Sequence, residues 1–392
     1  MKIFGLKELS GKVPELLIKQ TKHKNEPEKW DWIPAKPEKI KNLEDELKRE
    51  WEEVDCAVMT NYTMSQERQK VILVFFVGNL NYGLIQTLEK ENIKYFYVNY
   101  AQFIAKEGSV KIAIDNDIEK KIISLEDIYL DLNDVKVIIW NPSSFASPIA
   151  DSAIIPKKKG RNEYLFKKRW TQLLRDLIHL VPKDTVWLPG NPFNGSQDWQ
   201  NKIGEYSLAK SLGFKIPPMV FTNCLEEFNQ FVLKHGNDLF LREFSIPPYS
   251  FPPVRVDANK LNFDFFSKSP NCFQKYIEKK HEFRVVVIFN SIYACKIDSQ
   301  NSTLANEDWR VHDDAKVKWS LSELPVDLKN KIILFKDRLN LNWCSFDFIY
   351  GLDDEYYFLE ANRPGASYWL ELFVGLEVGK EIIMAIKNEN LV

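Results

Sequence analysis

The chain has little from which to build a soft-ligand site. Its five cysteines (Cys56, Cys224, Cys272, Cys295 and Cys344) are odd in number, widely spaced and without a Cys-x-x-Cys pair. Such thiols fit a reducing cytoplasm, and they exclude a disulfide framework and a thiolate zinc site. Five histidines are scattered without His-x-x-x-His spacing, so no transition-metal centre made by protein side chains alone is expected. Charge of one sign is also missing: 53 basic against 55 acidic side chains leave a net charge of −2. Bulk nucleic-acid binding draws its affinity from excess Lys and Arg, and that function class is set aside. No apolar run approaches the roughly 20 residues that span a bilayer. The opening MKIFGLKELSGKV lacks the apolar core of a signal peptide. The expectation is a cytoplasmic protein with neither nucleic acid nor membrane as partner.

What is present is an ordinary globular composition, 45% hydrophobic and 28% charged over 392 residues, enough for more than one domain. Residues 1–66 stand apart as rich in charge and proline. Proline opposes helix, so residues 20–37 read as an extended arm. Ile40, Leu43, Leu47, Trp51 and Val54 then mark a helix with one apolar stripe. Two readings of this extension stay open: a surface helix clamped to the body, or an arm that docks a partner or a second copy in a homodimer. From Lys70 the character changes. VILVFFVGN, KYFYVNY and VKVIIW are near-continuous apolar strands, with the helical stretch YGLIQTLEKENI between the first two. Strand–helix–strand with strands covered on both faces implies parallel crossover units and an α/β domain. The intervening GNLNYG lacks the G-x-G-x-x-G spacing of a dinucleotide site. Residues 163–181 read as an amphipathic helix, and KKKGR at 157–161 as a solvated loop.

Three segments of the second half carry chemistry. Asn201–Lys202 opens a helix that closes at Gly213, followed by a strand bracketed by prolines. A lysine at a helix start suits a phosphate, because a point charge joins unpaired backbone donors. Next, DLFLRE places Arg242 on the face opposite Leu241, and QKYI (Gln274, Lys275, Tyr276, Ile277) reads as a strand whose backbone edge could bind an adenine. Glu282 and Arg284 follow on one face of the next strand, an acid for ribose hydroxyls beside a cation for phosphate or carboxylate. The bland reading of that pair is a surface cross-strand ion pair. Finally, WCSFDFIYGLDDEYYFLEANRPG reads as a hairpin. Period 2 puts Phe358, Glu360 and Asn362 on one face, and Asp347 in the partner strand can converge on them. Hard oxygen ligands in that set suit Mg2+, which takes carboxylates and phosphate oxygens.

These segments together resemble the ATP-grasp enzymes. More narrowly, they resemble the peptide maturases that build graspetides (microviridin-type ω-ester and ω-amide peptides), relatives of the ribosomal-protein glutamate ligases. The resemblance covers residues 70–392 and rests on four stretches: NKIGEYSLAKSLGFKIPPMVFTN, FQKYIEKKHEFRVVVIFNSIYACKIDSQ, DWR at 308–310, and FDFIYGLDDEYYFLEANRPGASYWLELFVGLEV. It implies an α/β (α+β) protein with the ATP-grasp fold. After the extension over 1–66, a parallel-sheet pre-ATP-grasp domain would occupy 67–195. A central lid would occupy 196–278, and an antiparallel C-terminal part with the Mg2+ site 279–392. It implies Lys202 and Arg242 on the phosphates, Gln274 to Ile277 as the hinge that reads adenine, and Glu282 on the ribose. Asp347, Glu360 and Asn362 become the ligands of Mg2+, in two ions. Arg284 and Arg310 become the catalytic cations on the γ-phosphate and the acyl phosphate.

The implied reaction begins with attack of a carboxylate on ATP to give an acyl phosphate and ADP. A hydroxyl or amine then displaces phosphate to give an ester or amide. No protein nucleophile is needed, in keeping with the lack of any Ser/His or Cys/His constellation. The implied partner is a ribosomal peptide, with a leader peptide as a further candidate; the N-terminal extension lies outside the resemblance. A small carboxylate and amine as substrates form the alternative, and a non-catalytic nucleotide-binding module is a third reading. Three departures from the pattern stand out: Arg242 in place of a lysine, a proline-rich, glycine-free REFSIPPYSFPPVRV loop, and RPGASYWLE after the metal pair.

Overall fold

The structure, a computed structural model, describes residues 70–75, 81–98, 109–114, 119–125, 128–140, 169, 176, 179–191, 202–242, 253–262, 266–303, 305–307, 309, 317–362 and 368–392. The expected arm and helix of residues 1–66, the KKKGR loop, most of the 163–181 helix, the bulk of the proline-rich loop, RPGAS and Arg310 lie outside the described residues.

The first unit is built on β1 (Val71–Phe75), α1 (Asn81–Lys90) and β2 (Tyr95–Val98). Three strands not expected from the sequence follow: β3 (Ser109–Ile114), β4 (Glu119–Leu125) and β5 (Ile128–Asp131), an antiparallel sheet of their own. β6 (Val135–Trp140) and β7 (Val186–Leu188) return to the main sheet, whose order is β2-β1-β6-β7 with every neighbouring pair parallel. Val71, Ile72, Leu73, Val74 and Val137 are fully buried or nearly so, as expected of strands covered on both faces.

The second unit opens with α2 (Lys202–Ser211), which ends where Gly213 takes φ +77°, a left-handed turn that glycine makes without strain. β8 (Met219–Thr222), α3 (Leu225–His235), β9 (Asp238–Arg242), β10 (Val254–Asp257) and β11 (Asn271–Lys275) form an antiparallel sheet of order β10-β9-β11-β8. Leu239 and Phe273 seal one face of it against Phe228 and Phe231 of α3.

β12 (Lys279–Ile288), β13 (Ser291–Asp298), β14 (Lys318–Ser322), α4 (Val326–Arg338), β15 (Trp343–Gly351) and β16 (Tyr356–Asn362) complete the main body. Their five strands run antiparallel in the order β14-β13-β12-β15-β16. One face of this sheet packs an aromatic cluster, with Phe346, Phe348 and Phe358 against Phe214, Tyr206 and Phe335 of α4. On the other face Val286, Ile288, Cys295, Ile297 and Trp343 share a core with β1, β2 and β6 of the first unit. α5 (Tyr368–Val374) and α6 (Val378–Asn388) carry the chain back onto that first unit. Gly379 allows the approach of α6, since a Cβ there would lie 2.6 Å from the Leu84 amide nitrogen of α1. Core residues from the start and the end of the described chain thus form one hydrophobic cluster.

Candidate active site

The site lies on the sheet face away from the aromatic cluster, on three adjacent strands. Arg284 of β12 stands directly opposite Asp347 of β15, and Asp347 directly opposite Glu360 of β16. The register then slips: Phe348 pairs with Phe358, so Leu359 is an extra residue, a β-bulge. This corrects the expectation that Phe358, Glu360 and Asn362 share a face. Phe358, opposite Phe348, is fully buried in the aromatic cluster, whereas Glu360 and Asn362 turn to the side of Asp347. The bulge lets one short strand supply a core aromatic to one face and consecutive polar groups to the other.

The polar groups meet closely. Arg284 Nη1 donates to Asp347 Oδ1 at 2.8 Å and Oδ2 at 2.7 Å. Asn362 Nδ2 donates to Asp347 Oδ2 at 2.9 Å and to Glu360 Oε1 at 3.2 Å. The Arg284 side chain is 8% exposed and that of Asp347 14%, so this is a nearly buried ion pair. Arg284 Nε is buried and without an acceptor among the described residues, a donor left available on the site face.

Two further cations approach from the second unit. Lys202 Nζ, in the first turn of α2, lies 4.0 Å from Glu360 Oε2, and Arg242 Nη2, at the end of β9, lies 3.7 Å from the same oxygen. Both separations exceed hydrogen-bond length. The placement of Lys202 has a local cause. Tyr206 and Ala209 of α2 are buried in the aromatic cluster, and the chain after the helix adds a bridge to β16, where the Phe358 amide donates to the Lys215 carbonyl at 2.9 Å. Arg242 is oriented by Gln274, whose Oε1 accepts from its Nη1 at 3.0 Å. Three cationic heads therefore surround two carboxylates and an amide.

Neutral groups line the Arg242 side. Burial pushes the Tyr206 phenol up to about 12 and the Cys272 thiol up to about 11, in each case against the opposing charge of Arg242. Both stay protonated at neutral pH, so neither offers an anionic nucleophile.

Other expectations fare unevenly. Of QKYI, Gln274 and Lys275 belong to β11, which is flanked by β9 and β8. The Lys275 amide donates to the Pro218 carbonyl and that of Tyr276 to the Asp238 carbonyl, so those two backbone donors are already engaged. Tyr276 carries Arg255 stacked 3.8 Å from its ring centre, and the chain leaves the sheet only from Tyr276 onward, through Ile277. Glu282 shares a face with Arg284 but is 6% exposed, and it is held by Lys279 Nζ at 3.0 Å and by the Ser299 hydroxyl at 2.8 Å. The structure therefore gathers Lys202, Arg242, Gln274, Arg284, Asp347, Glu360 and Asn362, and sets Glu282 in a separate buried cluster. Gln274 acting through its side chain, Tyr206, Lys279 and Ser299 were not expected, since their roles follow from long-range register. Among the described residues no three His, Cys, Asp or Glu side chains cluster as a metal site; the donor set is two carboxylates and one amide.

The arrangement of these elements recurs in solved structures. The fold is that of the ATP-grasp ligases. A RiPP-associated ATP-grasp ligase of Chryseobacterium gregarium, in complex with ADP and a leader and core peptide, superimposes with a TM-score of 0.68 at 22% identity, over 82% of this chain and 97% of that one. The macrocyclase MdnC of Microcystis aeruginosa, bound with precursor peptide MdnA, gives 0.65 at 21% identity, over 82% and 100%. The ATP-grasp ligase PsnB, complexed with minimal precursor, Mg and ADP, gives 0.63 at 15% identity, over 84% and 99%. No family model matches the sequence, and no curated protein matches it either. Among the described residues no helix is long and apolar enough to cross a membrane.

Proposed function

We propose that this chain is an ATP-dependent ligase that activates a carboxylate as an acyl phosphate and joins it to a hydroxyl or amine of a ribosomal peptide. The observation that carries the reading is the row Arg284–Asp347–Glu360 with Asn362 on one sheet face and Lys202 and Arg242 closing on it from the lid. The donor set is made only of oxygen ligands, two carboxylates and the Asn362 carboxamide, which fits Mg2+ and disfavours a soft metal. Held by Asp347, Glu360 and Asn362, Mg2+ would supply charge neutralisation for a phosphoryl group. Lys202 and Arg242 bring two cations to the Glu360 side of the site, where phosphate oxygens would meet them. Arg284 orients Asp347 through two hydrogen bonds, and its Nε remains to donate to an anionic oxygen. Fixed donors in a partly buried site stabilise charge spread over a transferring phosphoryl group, and no step needs a protein nucleophile.

Arg310 is assigned to the acyl phosphate, Ile277 to the adenine and Glu282 to the ribose by resemblance to the ATP-grasp pattern. For Glu282 to reach a ribose it would have to share its carboxylate with Lys279 and Ser299. A peptide substrate is favoured by the likeness to three folds whose solved complexes hold leader, core or precursor peptides.

The test uses the full chain, ATP, Mg2+ and short peptides rich in Thr, Ser, Lys, Asp and Glu. It follows ADP release and, by mass spectrometry, loss of one water per bond formed. Glu360→Gln should lower turnover at least about 100-fold, as expected when a principal charge partner of the transition state is removed. A folded Glu360→Gln protein with wild-type turnover refutes the assignment of the hairpin.

A further inference from the structure

Ser345 lies on the same face of β15 as Asp347, two residues earlier, and is fully buried. Among the described residues its hydroxyl has no hydrogen-bond partner. A buried hydroxyl without a partner weakens a fold, so its presence calls for an explanation. Its position supplies one, because Ser345 stands directly opposite Asn362 in the ladder. Side chains so placed have Cβ atoms about 4.5–5.5 Å apart, within reach of a hydrogen bond between a hydroxyl and a carboxamide.

Asn362 presents Nδ2, not Oδ1, to the two carboxylates. An amide nitrogen cannot ligate a cation, whereas the amide oxygen can. Turning the carboxamide about its last torsion brings Oδ1 to the acidic side and swings Nδ2 away from both carboxylates. That nitrogen, buried and deprived of its acceptors, then needs another. The Ser345 hydroxyl is an acceptor with unused capacity directly across the ladder.

The geometry points to Ser345 as a positioning residue that holds Asn362 in its cation-ligating orientation. This rests on the proposed Mg2+ role of the hairpin and adds to it the group that fixes one ligand. Neighbours that orient a metal ligand typically change metal affinity by roughly 10- to 100-fold when removed.

The experiment compares the full-length wild type with Ser345→Ala, using Mn2+ as a paramagnetic probe. Bound Mn2+ is read by electron paramagnetic resonance with ADP present, and thermal melting is followed in excess chelator. Ser345→Ala should bind Mn2+ at least about tenfold more weakly. Its melting temperature in chelator should equal or exceed that of the wild type, because an unpaired buried hydroxyl has been removed. Opposite directions of affinity and stability are what a purely structural serine would not produce. Unchanged Mn2+ binding in Ser345→Ala, with the wild type binding normally, overturns the inference and leaves the hairpin assignment standing. A lowered melting temperature in chelator also overturns it, since the hydroxyl then has another partner. A wild type that binds no Mn2+ removes the hairpin assignment and this inference together.

Discussion

Truncating Asp347 tests stability and chemistry in one experiment. Arg284 is 7% exposed, and both of its hydrogen bonds to carboxylate oxygens go to Asp347, so Asp347→Ala leaves a guanidinium buried without its counter-charge. Breaking a buried pair by removing one partner typically costs about 3–5 kcal/mol. Asn362 adds little to that cost, since its Nδ2 keeps Glu360 as an acceptor at 3.2 Å. Replacing both partners by apolar residues of similar size, Arg284→Met with Asp347→Leu, removes the unpaired charge as well. The double variant should therefore fall within about 1 kcal/mol of the wild type, recovering most of the single-variant cost. The assay is denaturant unfolding at neutral pH, at low and at high salt. A nearly buried pair is weakly screened, and the single-variant cost should change little between the two. Turnover of ATP should be lost in the single and the double variant alike, so stability returns and activity does not. A cost below about 1 kcal/mol for Asp347→Ala, or a double variant as unstable as the single one, refutes the argument that this pair is buried and charge-compensated.

Two other perturbations probe the frame around the site. Ile382 of α6 is fully buried in the shared core, so Ile382→Ala should cost about 2–5 kcal/mol with an unchanged denaturant slope; a loss under about 1 kcal/mol would mean that α6 does not anchor that core. Burial raises the Glu371 carboxyl above its usual 4.5, and the charge of Glu377 adds to the shift. A folded-state value above the unfolded one means that stability is greatest below the unfolded value and falls as pH rises through the folded value. Glu371→Gln should therefore match the wild type near pH 4 and exceed it in unfolding midpoint at pH 7, and a difference that does not vary with pH would contradict this.

The sequence made the long strands readable because burial on both faces leaves unbroken apolar runs. β1, β6 and the apolar part of β12 are read that way from VILVF, VKVIIW and RVVVI, and the start of α2 from the lysine before an amphipathic stretch. The three-stranded sheet β3–β5 was not readable. EKKIISL carries charge at one end and a short apolar stretch at the other, which by itself fits a loop as well as a strand. The place of QKYI in its sheet was hidden for a related reason. Whether a short strand lies at an edge or in the middle depends on which distant strands flank it, and β8 and β9 lie far from it along the chain.

The site divides along the same line. Residue types were legible: acids and an amide within one hairpin, and cations at a helix start and a strand end. Their convergence was not, because it depends on register. Strict alternation would have placed Phe358 beside Glu360, where an aromatic ring would compete with the ligands for the same face. The extra residue Leu359 moves Phe358 to the other side, where its ring lies 6.0 Å from that of Phe348 and 5.3 Å from that of Phe335. One inserted residue thus gives the core its aromatic and the site its acid. That trade is invisible to period-2 reading, since only the pairing with Asp347 and Phe348 reveals which residue is extra. Deleting Leu359 would make Phe358 and Glu360 successive residues of an unbulged strand, which face opposite ways, so the pairings Phe348–Phe358 and Asp347–Glu360 should both survive the deletion.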